Sequence, residues 1–129
     1  MILLDTHVLI WVNGDSKRLS RAADRAIRKA RAADGVAISA ITLWELASLI
    51  AKGRIRAYGT VESSIEILIE GVSIRSLTPE IAALAAQFPD DYPHDPADRL
   101  IGATAHAEGM ALVTRDERIR SSPLLRTIW

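Results

Sequence analysis

Three short runs in this chain, Ile2-Leu3-Leu4, Val36-Ala37-Ile38-Ser39 and Ala111-Leu112-Val113-Thr114, are apolar almost without interruption. A strand with one face in water alternates polar and apolar residues. A strand that does not alternate is buried on both faces, which is the state of parallel sheets covered by helices. The segments between the runs agree. Leu19, Ala22, Ala23, Ala26, Ile27 and Ala30 follow the i, i+3, i+4, i+7 spacing of an amphipathic helix over 19–33. Helices are also expected over His7 to Asn13, Thr42 to Lys52, 60–70, Pro79 to Phe88 and Pro96 to His106. Thr78-Pro79 and Asp95-Pro96 supply caps with proline in the first turn, and Gly53 and Gly109 supply stops. Val72-Ser73-Ile74 and Thr127-Ile128-Trp129 read as further strands. The fold class is α/β: three α/β/α layers around a central, mainly parallel sheet, as a single domain over 1–129.

Composition narrows the chemistry. With no cysteine among 129 residues, disulfides, thiolate metal sites and thiol nucleophiles are excluded. Net charge is zero, which argues against nucleic-acid binding by bulk charge. Thirteen of the sixteen basic residues are arginine, a bias that suits phosphate and carboxylate partners and that GC-rich coding would also produce. No window approaches the ~18 uncharged apolar residues that a membrane span needs. Met1-Ile2-Leu3-Leu4-Asp5 lacks the basic start of a secretion signal. A cytoplasmic protein with no membrane partner is expected.

Four acids stand at junctions between apolar segments: Asp5, Glu45, Asp98 and Asp116. In a parallel sheet, the C-terminal strand ends and the N-terminal helix ends share one rim, where ligands bind. Asp5 and Asp116 follow strands. Glu45 and Asp98 lie near the starts of helices, and the helix carrying Asp98 must run antiparallel to the strand at 111–114. All four therefore reach the same rim. Two carboxylates about 4 Å apart repel by ~4 kcal/mol at an effective dielectric near 20, so such a cluster calls for a hard divalent cation, Mg²⁺ or Mn²⁺. The chemistry implied is phosphodiester hydrolysis by a metal-activated water.

Taken singly, the acids have structural explanations. Thr42-x-x-Glu45 has the form of a capping box, Asp98 suits the N-terminal dipole of its helix, and Asp116 can cap a turn over Glu117 to Arg120. Asp5 shows no capping role in the sequence. Two other functions compete with the nuclease. One is a receiver- or phosphatase-like domain phosphorylated on Asp5, which lacks the expected Asp two residues later (His7 is there) and any lysine after Lys52. The other is a catalytically silent partner-binding module, which an intact acid quartet disfavours.

The same residues carry a resemblance. Leu3-Leu4-Asp5-Thr6-His7, Trp44-Glu45-Leu46, Asp95-Pro96-Ala97-Asp98-Arg99, Ala103-Thr104-Ala105 and Leu112-Val113-Thr114-Arg115-Asp116, in this order and spacing, resemble the PIN domain, and within it the VapC-type toxins of bacterial toxin–antitoxin pairs. The resemblance spans nearly the whole chain. It implies a PIN-like fold and a Mg²⁺- or Mn²⁺-dependent endoribonuclease, with Asp5, Glu45, Asp98 and Asp116 as the catalytic, metal-binding quartet. Thr6 and Thr114 fall at its small hydroxyl positions, and Arg99 follows the third acid as a substrate contact or a salt-bridge partner. It also implies an RNA substrate, a cognate VapB-like antitoxin that blocks the acidic site, and a homodimer. Asp95 reads as a helix cap.

Several residues fall outside that scheme. Arg18, Arg21, Arg25 and Arg28 form a stripe that is either an RNA-binding face or a solvated one. His7, His94 and His106 lack metal-ligand spacing and are read as structural or surface residues. Trp11 and Trp44 are expected in the core or in a dimer contact, with Trp44 placed to steady Glu45.

Overall fold

The computed structural model describes all residues, Met1–Trp129. Its strands are β1 (Ile2–Leu4), β2 (Val36–Ser39), β3 (Ser73–Arg75), β4 (Leu112–Val113) and β5 (Thr127–Ile128). Its helices are α1 (Thr6–Gly14), α2 (Arg21–Arg31), α3 (Ala40–Ala51), α4 (Val61–Leu68), α5 (Pro79–Gln87), α6 (Pro96–Glu108) and α7 (Glu117–Arg120), with a 3-10 turn over Ser16–Arg18. The strands form one sheet in the order β3-β2-β1-β4-β5, with every neighbouring pair parallel.

Adjacent residues of each central strand supply opposite faces. Leu3, Ala37 and Leu112 pack with Ile81 and Ala85 of α5, Ile101 and Ala105 of α6, and Phe88 and Tyr92 of the following loop. Leu4, Val36, Ile38 and Val113 pack with Val8 and Leu9 of α1, Ile27 of α2, Leu46 and Ile50 of α3, and Leu68 of α4. Leu3, Leu4 and Leu112 have no exposed surface, so each contributes about 1.5–3 kcal/mol through burial. This two-sided cover explains why the strands do not alternate.

Strand order reverses after β3: the chain leaves the β3 edge and returns on the other side of β1. Right-handed crossovers then place the later helices on the opposite face. The reversal opens a crevice between the C-terminal ends of β1 and β4, the topological switch point where ligands bind in such sheets. Gly109, in the left-handed conformation at φ 65°, ends α6. Met110 then donates its N–H to the Ala105 carbonyl at 3.0 Å and the chain turns into β4. The N-terminus of α6 thus returns to the crevice.

Some local expectations are corrected. Helix α3 starts two residues before Thr42, because the buried Ser39 hydroxyl accepts from the Ile41 N–H at 3.3 Å and takes the cap. Thr42 and Glu45 therefore form no capping box. Asp5 does cap a helix, since its carboxylate accepts from the Thr6 N–H at the start of α1. Trp44 is 67% exposed and is not a core residue. Arg18 belongs to the 3-10 turn rather than to α2, while Arg21, Arg25 and Arg28 share one surface of α2 with Asp24, which pairs with Arg28. No helix is long and apolar enough to cross a membrane.

Candidate metal centre

The crevice is a cleft of about 400 Å³ whose walls include all four acids, Asp5, Glu45, Asp98 and Asp116, together with Asp95, His7 and Arg115. Asp5 projects from the end of β1 and is fixed on both carboxylate oxygens. One accepts from the Thr6 N–H at 2.9 Å and the other from the buried Thr114 hydroxyl at 2.8 Å. Thr114 in turn accepts from the Asp116 N–H at 3.1 Å, tying the ends of β1 and β4 together. The Asp116 carboxylate caps α7, accepting from Arg118 and Ile119 N–H groups at 2.8 and 3.2 Å.

Thr6 bridges to the next acid. Its hydroxyl donates to Glu45 at 2.5 Å and lies 3.0 Å from the Thr42 hydroxyl. A hydroxyl has one proton, so Thr42 is the donor in the second contact. The relay Thr42 to Thr6 to Glu45 links α3 to α1, and both threonines are fully buried.

Asp98 is held differently. Its carboxylate receives no protein hydrogen bond, and its position is set through the backbone. Asp95 caps α6 by accepting from the Asp98 N–H at 3.1 Å, and the Tyr92 hydroxyl donates to the Asp98 carbonyl at 3.2 Å. Tyr92 reaches that carbonyl because Gly102, one turn on, leaves its side of α6 open to the ring.

Arg99, expected as a substrate contact or in a salt bridge, pairs with no carboxylate. Its guanidinium donates to the carbonyls of Ala85, Phe88, Pro89, Tyr92 and Pro93 at 2.8–3.3 Å. It satisfies the C-terminal end of α5 and folds the loop that carries Tyr92. His94 and His106 each meet a backbone carbonyl, of Asp90 and Leu124.

Electrostatics follow from this arrangement. Burial pushes the Asp98 carboxyl up to about 7 from its ordinary 3.8, reinforced by the negative charges of Asp5, Asp95, Glu45 and Asp116. Burial also raises Asp5, opposed by the hydrogen bonds from Thr114 and Thr6. Glu45 is raised by burial, opposed by Thr6 and reinforced by the charges of Asp5 and Asp95. The carboxylates are thus set apart by their donors, and Asp98 is the one left uncompensated.

The donor set consists of hard oxygens, with no thiolate available and negative charge in excess, and it fits Mg²⁺ or Mn²⁺. As these side chains stand, no three of them are close enough together to hold a metal ion. Asp5, Glu45, Asp98 and Asp116 are the oxygen donors that line the cleft.

Sequence reasoning missed four contributors: Thr42 and Ser39, masked by the apparent capping box, and the Tyr92–Gly102 contact and Arg115. Arg115 had a signal, being directly before Asp116. The Tyr92–Gly102 contact joins a loop to a helix and left none.

A parallel sheet of this order with acids gathered at its switch point defines a class of α/β domains, and residues 2–123 match the PIN domain model; the chain belongs to the PIN-domain family. Over 130 residues it is 44% identical to Ribonuclease VapC22 of Mycobacterium tuberculosis, covering 99% of this chain and 98% of that protein. Among solved structures it is similar to VapBC2 of Rickettsia felis bound to a promoter DNA fragment, with a TM-score of 0.76 and 20% identity. It is also similar to DNA-bound VapBC of Salmonella typhimurium, with a TM-score of 0.74 and 21% identity. Each match covers 98% of this chain and 97% of the other. These two likenesses concern the fold.

Proposed function

We propose that this chain is a VapC-type endoribonuclease, the toxin of a toxin–antitoxin pair, hydrolysing RNA phosphodiesters with Mg²⁺ or Mn²⁺ at Asp5, Glu45, Asp98 and Asp116. The observation that carries the reading is the convergence of four carboxylates from β1, α3, α6 and the end of β4 in one cleft. The 44% identity to a protein named as a VapC ribonuclease supports it. The VapBC complexes among the structural relatives support a VapB-like antitoxin as partner. A cytoplasmic location and a homodimer belong to the same reading; the exposed Trp44 indole offers apolar surface to a second copy.

Chemically, a divalent cation here supplies Lewis-acid polarisation of a phosphate oxygen and a more acidic water. The chain supplies the rest. Thr6 and Thr114 hold Asp5 in one orientation with both of its hydrogen-bonded lone pairs committed, leaving the others for the cleft. Thr6 does the same for Glu45. Such supporting donors commonly change metal affinity or activity 10–100-fold, roughly, when removed. Asp98, which lacks a donor of its own, has the most to gain from a cation. In the reaction a water oxygen bonds to phosphorus, one ribose–phosphate ester bond breaks, and the departing oxygen takes up a proton.

RNA cleavage by the purified chain should vanish in EDTA and return with Mg²⁺ or Mn²⁺, and Asp5→Asn should abolish it. Cleavage that persists in EDTA, or survives Asp5→Asn, refutes the assignment.

A further inference from the structure

Beside the acidic cleft lies a second groove of about 450 Å³ between α1, the end of α3 and the segment 54–58. The two share a wall, because His7 and Trp11 line both. The groove's charge is opposite to that of the cleft. Arg18, Arg54 and Arg56 line it against a single acid, Asp15. None of the three arginines has a salt-bridge partner, since the only ion pairs are Met1–Asp34, Arg28–Asp24 and Arg75–Glu108.

The arginines are arranged with aromatic rings. Arg18 lies over the Trp11 ring at 4.9 Å and Arg56 over the Tyr58 ring at 5.0 Å. On the cleft side, Arg115 approaches the same Trp11 ring at 5.9 Å. The Trp11 ring thus has an arginine on the groove side and another on the cleft side, while Ile10, Leu49, Ile55, Ile67 and Leu68 give the groove an apolar wall. Tyr58 is 41% exposed, and the arginines are exposed.

We propose that this groove is the subsite for the nucleotides flanking the scissile phosphate: single-stranded RNA, its bases stacked on Tyr58 and Trp11 and its phosphates held by Arg18, Arg54 and Arg56. The inference rests on the ribonuclease reading of the cleft. A cleft of carboxylates repels every phosphate except the one a cation neutralises, so the rest of the substrate must be held by cations elsewhere. Arg115 at the cleft wall is one such cation, and the groove supplies three more without partners. Alternating positive charge and π-faces is the chemistry by which single strands are bound without sequence readout. The groove's volume is also in the range, about 300–1,000 Å³, of pockets that accept small ligands such as a nucleotide.

The test is anisotropy of a fluorescein-labelled single-stranded oligouridylate in EDTA, together with steady-state cleavage of long RNA in Mg²⁺. Arg54→Glu with Arg56→Glu should weaken binding at least tenfold and lower the slope of log affinity against log salt by about 1.4, two phosphate contacts at ~0.7 each. Tyr58→Ala should weaken binding about tenfold while leaving the salt slope unchanged. Both variants should raise KM with kcat preserved, and both should melt with the wild type because the altered side chains are exposed. If the wild type binds and cleaves RNA and the variants do so equally well, the groove inference is overturned while the ribonuclease reading stands. If the double variant keeps its RNA affinity but loses a co-expressed antitoxin, the groove is a protein-docking surface and the inference is likewise overturned. If the wild type neither binds nor cleaves RNA, the ribonuclease reading fails and the groove inference falls with it.

Discussion

Replacing Asp98 by Asn removes the one carboxylate of the cleft that has no donor of its own. In the metal-free protein the Asp98 carboxyl titrates at about 7 instead of 3.8. At ~1.36 kcal/mol per pH unit, a fully enclosed group shifted by about three units would carry a penalty near 4 kcal/mol. Asp98 is only half-buried, and solvent screening reduces this to about 2 kcal/mol. The sign follows from proton binding. The folded protein holds this proton more tightly than the unfolded chain, so the penalty is absent below about pH 4. It grows as pH rises and is complete above the folded value near 7. Asn cannot ionise, so Asp98→Asn should match the wild type at about pH 4 and exceed its stability by about 2 kcal/mol near pH 8. For a chain of this length that is a melting temperature higher by roughly 6–8 °C. Thermal denaturation in EDTA across this pH range measures the effect. Saturating Mn²⁺ should then reverse the ranking near pH 8, because the wild type gains binding energy that the variant lacks. A variant less stable than the wild type in EDTA near pH 8, or a difference that ignores pH, would refute the electrostatic reasoning.

Other consequences follow from the donors and the packing. Thr114→Val keeps the shape of a fully buried side chain but removes the 2.8 Å hydrogen bond to Asp5; Mn²⁺ affinity by titration calorimetry should fall about 10–100-fold. In Gly102→Ala the new methyl meets the Tyr92 hydroxyl and ring and the Phe88 ring. Overpacking of this kind costs about 1–3 kcal/mol, so the melting temperature should drop, and Tyr92→Phe added to it should recover part of the loss. Arg99→Lys keeps the charge but cannot span five carbonyls. Denaturant unfolding should show a loss of about 2–3 kcal/mol, and an unchanged midpoint would show that the clamp contributes nothing.

The sequence by itself determined the layers. Short apolar runs such as Ile2–Leu4 and Val36–Ile38, set between helical segments, point to strands covered on both sides. Helix polarity then put the four acids on one rim, because a helix returning to a parallel strand must begin where that strand ends. These are consequences of local periodicity, and local periodicity is legible in one dimension.

Tertiary structure alone decided which groups answer each acid. Thr42 read as the cap of its own helix, yet it donates to Thr6 from across the interface with α1. Asp5 seemed to have no local role, yet it caps α1 while holding Thr114 more than a hundred residues away. Arg99 read as a partner for anions and instead gathers the carbonyls of a loop. Hydrogen bonds are directional and short, so their partners depend on positions that packing sets to within a fraction of an ångström. The same holds for Asp98: the sequence shows an acid at a helix start, and only burial among four other carboxylates gives it an ordinary base's pKa near neutrality.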